Sequence, residues 1–281
     1  IDNPVEKERF VTPVRQKTIQ KPQQEVGYIP FQYVEKALSY NSSFIRFLCG
    51  LFDRYTLESP TIERLMNDYT LGATKDGCII YWQIDINGKA RTGKIMRYNP
   101  ETGRRVKDAG GINWVHSILK KKKLLPDNFN LVQCLFGEQL LKMYPKKPVA
   151  LVESEKSALI ASGVYPEYIW LATGGKSQLS IEKMKVLHGR TVLAFPDVDG
   201  FDYWKDKAKE LESIGCNVLV SDILEKNATD QDRINKIDLA DWLIRDLMTD
   251  CRPAPNTLDT LLGINPVLKS LIETFDLKLI A

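Results

Sequence analysis

Four short apolar runs rich in β-branched and aromatic residues, Val149–Val152, Ile169–Ala172, Thr191–Phe195 and Asn217–Val220, alternate with stretches of helical periodicity at 154–162, 181–187 and 201–214. Runs this short and this uniformly apolar suit strands covered on both faces, and the helical patterns between them supply the long crossovers that parallel neighbours require. The pattern therefore predicts βαβ units on a parallel sheet. Acidic residues stand where the strands should stop: Glu153 follows the first run, Asp197 and Asp199 follow the third, and Asp238 and Asp241 lie in the later segment KIDLADWL. Ligand chemistry in open parallel sheets gathers at the carboxyl ends of the strands, so these acids are expected to converge on one edge.

Convergence of that kind has a cost. Two carboxylates about 4 Å apart repel by roughly 4 kcal/mol at an effective dielectric near 20, so an unpaired set would protonate or push its loops apart. A divalent cation relieves the repulsion. Donors that are all oxygen favour Mg²⁺ or Mn²⁺, and Mg²⁺ takes one or two protein carboxylates and completes its shell with water and substrate phosphate. The expected cofactor is Mg²⁺ or Mn²⁺, and the expected chemistry is that of phosphates.

Glu153 in V-E-S-E-K, the turn Asp197-Val198-Asp199-Gly200 after a strand, and Asp238-x-x-Asp241 resemble, in that order, the three acidic motifs of the Toprim domain. That module is shared by bacterial primases, topoisomerases and some nucleases. The version with E-x-E-K and D-x-x-D is similar to primase-like proteins of plasmids, phages and conjugative elements. One departure is plain: Ser154 stands where primases usually carry Gly. The resemblance implies metal-dependent nucleotidyl transfer, that is, primer synthesis on single-stranded DNA in mobile-element replication. It assigns Asp197 and Asp199 to the metal, with Asp238 or Asp241 in support, and makes Glu153 a general acid or base. A nuclease on the same domain and a non-catalytic nucleic-acid-binding accessory protein are the alternatives. Implied partners are single-stranded nucleic acid and nucleotides, with a helicase or other replication protein beside them. An amino-terminal zinc ribbon is a further module that such relatives often carry.

The remaining motifs bear on the same edge. Lys156 lies one helical turn beyond Glu153, where it would hold a phosphate, neutralise the acids, or simply pair with Glu153. Ala172-Thr173-Gly174-Gly175-Lys176-Ser177 ends like a P-loop, but Trp170 occupies the place of that motif's first Gly, which disfavours an ATPase. In the Toprim reading Gly174, Gly175 and Lys176 form a phosphate-approach loop after the second strand; otherwise the segment is a strand-to-helix turn. Asp197 to Asp202 fails as a calcium loop because Phe201 replaces a needed oxygen ligand. Asp199, Asp202, Asp238 and Asp241 would equally serve as helix caps.

Upstream, the pattern over 28–69 is helical, with Phe31, Val34, Ala37 and Leu38 on one face, Phe44, Ile45, Leu48, Leu51 and Phe52 on a second, and Ser59-Pro60 opening a third helix. A β-rich part follows, with a strand at 78–84, a hairpin turn at Ile86-Asn87-Gly88-Lys89 and a return strand at 93–98. A strand and a helix are expected at 131–143. This part concentrates positive charge: Lys89, Arg91, Lys94, Arg97, Arg104, Arg105, Lys107, and then Lys120, Lys121, Lys122 and Lys123, interleaved with Tyr81, Trp82, Tyr98 and Trp114. Cations release counterions from a phosphate backbone and aromatics stack on bases, which suits single-stranded nucleic acid. Solvated hairpin and helix faces would give the same composition.

The expected fold class is thus α/β, a Toprim-like parallel sheet flanked by helices and preceded by a smaller α+β domain. Its divisions are a polar linker or tail at 1–27, an α+β domain with the basic hairpin at 28–145, the acidic domain at 146–250 and an amphipathic helical tail at 251–281. Neither a signal-peptide core nor an apolar run of bilayer length occurs, so the expectation is a cytoplasmic protein without a membrane. A net charge of +3 over 281 residues does not itself announce a polyanion partner. The five cysteines stand singly and the histidines are only His116 and His188. That excludes a zinc cage within the chain, makes histidine catalysis improbable and fits reduced thiols.

Overall fold

The computed structural model describes residues 25–53, 61–107 and 111–248. Helices α1 (Gln32–Glu35), α2 (Ser43–Asp53) and α3 (Thr61–Asp68) precede an antiparallel sheet. Its strands β1 (Gly72–Ala73), β2 (Ile79–Ile84), β3 (Ala90–Met96) and β4 (Asn113–Trp114) lie side by side in chain order. The β2–β3 turn is built by Asp85, whose carboxylate accepts the N–H groups of Asn87 and Lys89 at 3.0 Å each. Helices α4 (Val115–Lys121) and α5 (Leu140–Met143) lead to the second sheet.

All six residues of β2 are buried, because the strand is covered on both faces. Ile80, Trp82 and Ile84 face a small core with Ile29, Val34, Leu119 and Phe129. Ile79 and Tyr81 face the main core, which runs without interruption from Phe44, Leu48 and Tyr69 through Phe136 to Ala150, Leu151 and Leu193 of the second sheet. The two sheets therefore share one apolar interior. Burying such side chains stabilises by about 1.5–3 kcal/mol each.

The second sheet is fully parallel, in the order β6-β5-β7-β8, with β5 (Val149–Val152), β6 (Ile169–Ala172), β7 (Thr191–Phe195) and β8 (Asn217–Val220). It is flanked by α6 (Glu155–Val164), α7 (Ile181–Met184), α8 (Phe201–Glu212), α9 (Ile223–Asn227), α10 (Asp230–Asn235) and α11 (Leu239–Met248). The fold is thus mixed α/β, a helix-flanked parallel sheet beside a separate antiparallel one. From β5 the chain steps outward to β6, then returns past β5 to β7. The strand order reverses at the β5–β7 seam, the place where open parallel sheets leave a crevice.

Two upstream expectations are corrected. The face of Phe31, Val34, Ala37 and Leu38 is not one helix. α1 is a single turn and only Val34 of the four is buried, because the following backbone joins the sheet: Leu38 bridges to Gly72, and Ala73 N–H donates to Ala37 O at 2.8 Å. The strand expected within 131–143 reduces to one bridge, Phe136 to Ala172 on the edge of β6. Gly137 ends it by turning left-handed at φ +82, where a Cβ would approach Trp170 O and Tyr69 Cε1 to 3.0 Å each. The helix start at Ser59-Pro60, most of the 1–27 linker and the 251–281 tail lie outside the described residues.

Candidate active site

Glu153 and Asp197 leave the carboxyl ends of β5 and β7 on either side of the seam, as Val152 pairs with Phe195. Asp197 N–H donates to Glu153 Oε1 at 3.4 Å. A third acid is brought in from α11. Val198 N–H donates to Ile237 O at 3.1 Å, which ties the β7 loop to the segment ahead of α11 and brings Asp238 alongside. All three line a cavity of about 340 Å³. Its opposite wall comes from the antiparallel part: Lys94, Met96 and Tyr98 on or just after β3, with Arg105 and Ile112.

The acids disturb one another. Burial, then the charges of Glu153 and Asp238, push the Asp197 carboxyl up to about 9. Burial also raises Glu153 and Asp238, against the Asp197 N–H for the first and against Lys156 for the second. Lys156 reaches both acids of the D-x-x-D pair, 3.1 Å to Asp238 and 2.8 Å to Asp241. Burial opposes its charge, but the two carboxylates outweigh burial and hold its pKa above the usual lysine range.

Asp199 and Asp241 are placed differently from the cavity acids. Asp199 is exposed with φ 69, does not line the cavity, and is held through its backbone: its N–H donates to Glu225 Oε2 at 3.1 Å and its carbonyl accepts from Lys176 Nζ at 2.8 Å. Asp241 sits in the first turn of α11, and each of Asp238 and Asp241 accepts the other's backbone N–H at its carboxylate. Ser154 caps α6 by accepting the Ser157 N–H at 3.1 Å, so the residue at the glycine position does a local structural job.

Gly174 and Gly175 also line the cavity, with φ +93 and +149, values that side-chain-bearing residues rarely adopt. Gly174 N–H donates to Glu153 O at 2.9 Å, which locks this loop to the end of β5. Of the basic residues, Lys94 is buried and paired with Glu155 at 2.8 Å, Arg91 pairs with Asp85 at 2.8 Å and Arg97 with Asp76. Arg104, Arg105 and Lys107 are exposed, as are Lys120 and Lys121 at the end of α4. Lys120 reaches back to Phe129 O at 3.1 Å.

Sequence reasoning missed Tyr98 and Glu155 as cleft residues. Glu155 was legible in principle: an acid opening a helix whose other residues are nearly all apolar or small must find a cation. Its Oε2 takes Lys94, while Oε1 is buried without a hydrogen-bond partner among the described residues.

Among the described residues no three His, Cys, Asp or Glu side chains are grouped tightly enough to hold a metal ion alone. A hard cation of the Mg²⁺ type does not need three. It takes one or two protein carboxylates, and the oxygen-only donors here, with Asp197 so unfavourable as a bare anion, fit that requirement. No helix among the described residues is long and apolar enough to cross a membrane.

Several solved structures are similar to the chain. The DnaG catalytic core aligns with a TM-score of 0.43 and 11% identity, covering 85% of this chain and 89% of that one. The zinc-binding and RNA polymerase domains of the Aquifex aeolicus primase align at 0.39 and 12%, covering 83% and 71%. A DnaG primase catalytic domain bound to ssDNA aligns at 0.34 and 16%, covering 85% and 84%. At these scores the likenesses carry no functional weight, which rests instead on the cleft. No curated protein matches. The family model described as "Domain of unknown function (DUF6371)" matches residues 42–198, which takes in the antiparallel sheet, Lys94, Glu153, Lys156 and Asp197. Since that span is more than half of the sequence, the chain belongs to the DUF6371 family.

Proposed function

We propose that this cleft carries out primase-like nucleotidyl transfer on single-stranded nucleic acid with Mg²⁺ or Mn²⁺. The observation that carries the proposal is that Glu153 and Asp197, from the strands at the switch in strand order, face a cavity whose far wall presents the exposed Arg105 beside the Lys94–Glu155 pair. Anion-repelling and anion-binding groups meet across one small space, as a site for metal-bound phosphate requires. The motif resemblance to primase-like Toprim proteins points the same way. The part at 28–145 would hold the strand and the part at 146–250 the reacting groups.

Asp197 would hold the cation, which when bound neutralises phosphate charge in the displacement. Glu153 has Oε1 engaged by the Asp197 N–H, which leaves Oε2 to accept the proton of a hydroxyl that would attack the α-phosphate of a nucleoside triphosphate and displace pyrophosphate. Burial raises its proton affinity toward the range a general base needs. Arg105 would orient the phosphates, and Lys176 would fix the glycine loop through its bond to Asp199 O. Exposed Arg104, Lys107, Lys120 and Lys121 would track the template. The process would be mobile-element replication, with a helicase or other replication protein as partner.

The test is to incubate the chain with single-stranded DNA, nucleoside triphosphates and Mg²⁺ or Mn²⁺ beside Asp197→Ala. Primer products that disappear in the variant support the reading. Shortened input strands would replace it with a nuclease, and retention of DNA without turnover would reduce the protein to a binding accessory.

A further inference from the structure

Lys156 extends from the first turn of α6 to the start of α11 and places Nζ between Asp238 Oδ2, at 3.1 Å, and Asp241 Oδ1, at 2.8 Å. The other two oxygens of the pair are also engaged. Asp238 Oδ1 accepts the Asp241 N–H at 2.8 Å, and Asp241 Oδ2 accepts the Asp238 N–H at 3.4 Å. Every oxygen of the D-x-x-D pair therefore has a partner within the chain, and the position between the carboxylates is filled by an ammonium.

Lys156 and Asp238 are only 14% and 13% exposed at their side chains, so their pair is not a solvated surface one, while Asp241, at 44%, closes the bridge on the solvent side. An ammonium is a compact unit charge with three donors, and it can occupy the place of an ion that bridges two carboxylates. In phosphoryl-transfer sites with two metals, the ions stand about 3.5–4 Å apart between shared carboxylates. Here Asp238 borders the cavity beside Asp197, and its outward side is closed by a covalently attached cation.

We infer that Lys156 is a built-in substitute for a second metal ion, so that the cleft takes a single divalent cation, on Asp197. The inference rests on the proposed reading of Asp197 as a cation ligand. It makes Lys156 a positioning residue that fixes cation stoichiometry, rather than a group that touches the reacting atoms. It also assigns the D-x-x-D pair to holding α6 against α11.

Mn²⁺ alone is the probe, counted on the full chain by loss of the free-ion electron paramagnetic resonance signal. One site is expected in the wild type, two in Lys156→Gln, and one again when Asp238→Asn is added to Lys156→Gln. Lys156→Arg, which keeps the charge, should stay at one, so that the site gained in Lys156→Gln, which a merely structural lysine would not give, follows the charge. Two sites in the wild type, falling to one in Asp238→Asn, would overturn the inference and leave the metal reading intact. An unchanged count in folded Lys156→Gln would overturn it as well. A site gained by Lys156→Gln over a wild type with none would sink the reading of Asp197 and, with it, the inferred count of one. No binding by either would end both. Should Lys156→Gln fail to fold, Asp238→Asn alone decides: an unchanged count of one upholds the inference, and a fall from two refutes it.

Discussion

Asp197→Asn should make the protein more stable, by an amount that grows with pH. In the folded chain the Asp197 carboxyl is held at about 9, against an ordinary 3.8. A folded-state pKa above the unfolded value favours the native state only while both states carry the proton, so its contribution is intact below pH 3.8 and is lost as pH climbs towards 9. At pH 7 the unfolded chain has ionised and the folded one has not. At about 1.4 kcal/mol per pH unit, the gap between pH 7 and 3.8 is about 4 kcal/mol in favour of unfolding. Asparagine keeps nearly the same shape and cannot ionise, so the variant escapes that loss. Water in the open cavity relaxes part of the cost, which leaves an expected gain of about 2–4 kcal/mol at pH 7 and under about 2 kcal/mol at pH 5.

For a chain of this size about 1 kcal/mol moves Tm by about 2–4 °C, so the variant should melt roughly 4–16 °C above the wild type at pH 7. Thermal unfolding at pH 5, 7 and 8, with and without Mg²⁺, measures this. A cation at 100 times its Kd adds about 2.7 kcal/mol to the wild type, so Mg²⁺ should shrink the difference at pH 7 by raising the wild type alone. A variant no more stable than the wild type at pH 8, or a gain as large at pH 5 as at pH 8, would refute the idea that this carboxylate is held against its own charge.

Breaking the buried Lys94–Glu155 pair should be costly: Glu155→Gln leaves the Lys94 ammonium without its counter-charge and should lower stability by about 3–5 kcal/mol in urea unfolding, with Lys94→Met/Glu155→Gln recovering more than half. A single-variant loss below about 1 kcal/mol would mean that the pair is solvated. Gly174→Ala must accommodate φ +93 and should cost about 1–3 kcal/mol, while weakening Mn²⁺ binding through displacement of the loop bonded to Glu153 O; an unchanged Tm would show that the loop relaxes freely. If Arg104 and Lys107 contact phosphates of a single strand, Arg104→Ala/Lys107→Ala should lower the slope of log affinity against log salt by about 1.4 in fluorescence anisotropy, with little change in Tm. An unchanged slope would remove that surface from the binding site.

The parallel sheet was legible because its strands are covered on both faces. Val149–Val152 and Ile169–Ala172 are buried at every position, and such strands must be written as unbroken apolar runs. The positions of Glu153 and Asp197 were legible for a related reason: an ionisable residue cannot continue a strand of that kind, so it marks the strand's end. Upstream the same logic was weaker. β2 is also buried on both faces, but one of its covers comes from segments that carry little periodicity of their own, and helix α1 gave way where the backbone of Ala37 and Leu38 was drawn to β1. Local pattern does not record which remote edge will compete for a backbone group.

Charge pairing was the least legible, and the reason is distance along the chain. Lys94 reads as one member of a basic hairpin, yet its partner Glu155 lies 61 residues away; Lys156 and Asp241 are 85 apart. Whether a lysine faces solvent, phosphate or a buried carboxylate depends on how the two sheets dock, and composition is the same in all three cases. Docking divides the basic residues into two populations. Arg91, Lys94, Arg97 and Lys156 are paired with acids of the chain, whereas Arg104, Arg105 and Lys107 are exposed, with Arg105 on the cavity wall. A polyanion can engage the second set without first disrupting native pairs, while the first set can respond to it only if the structure yields. For that reason the electrostatic footprint for nucleic acid should be narrower than the basic sequence suggests, and centred on the turn at 104–107 rather than on the hairpin.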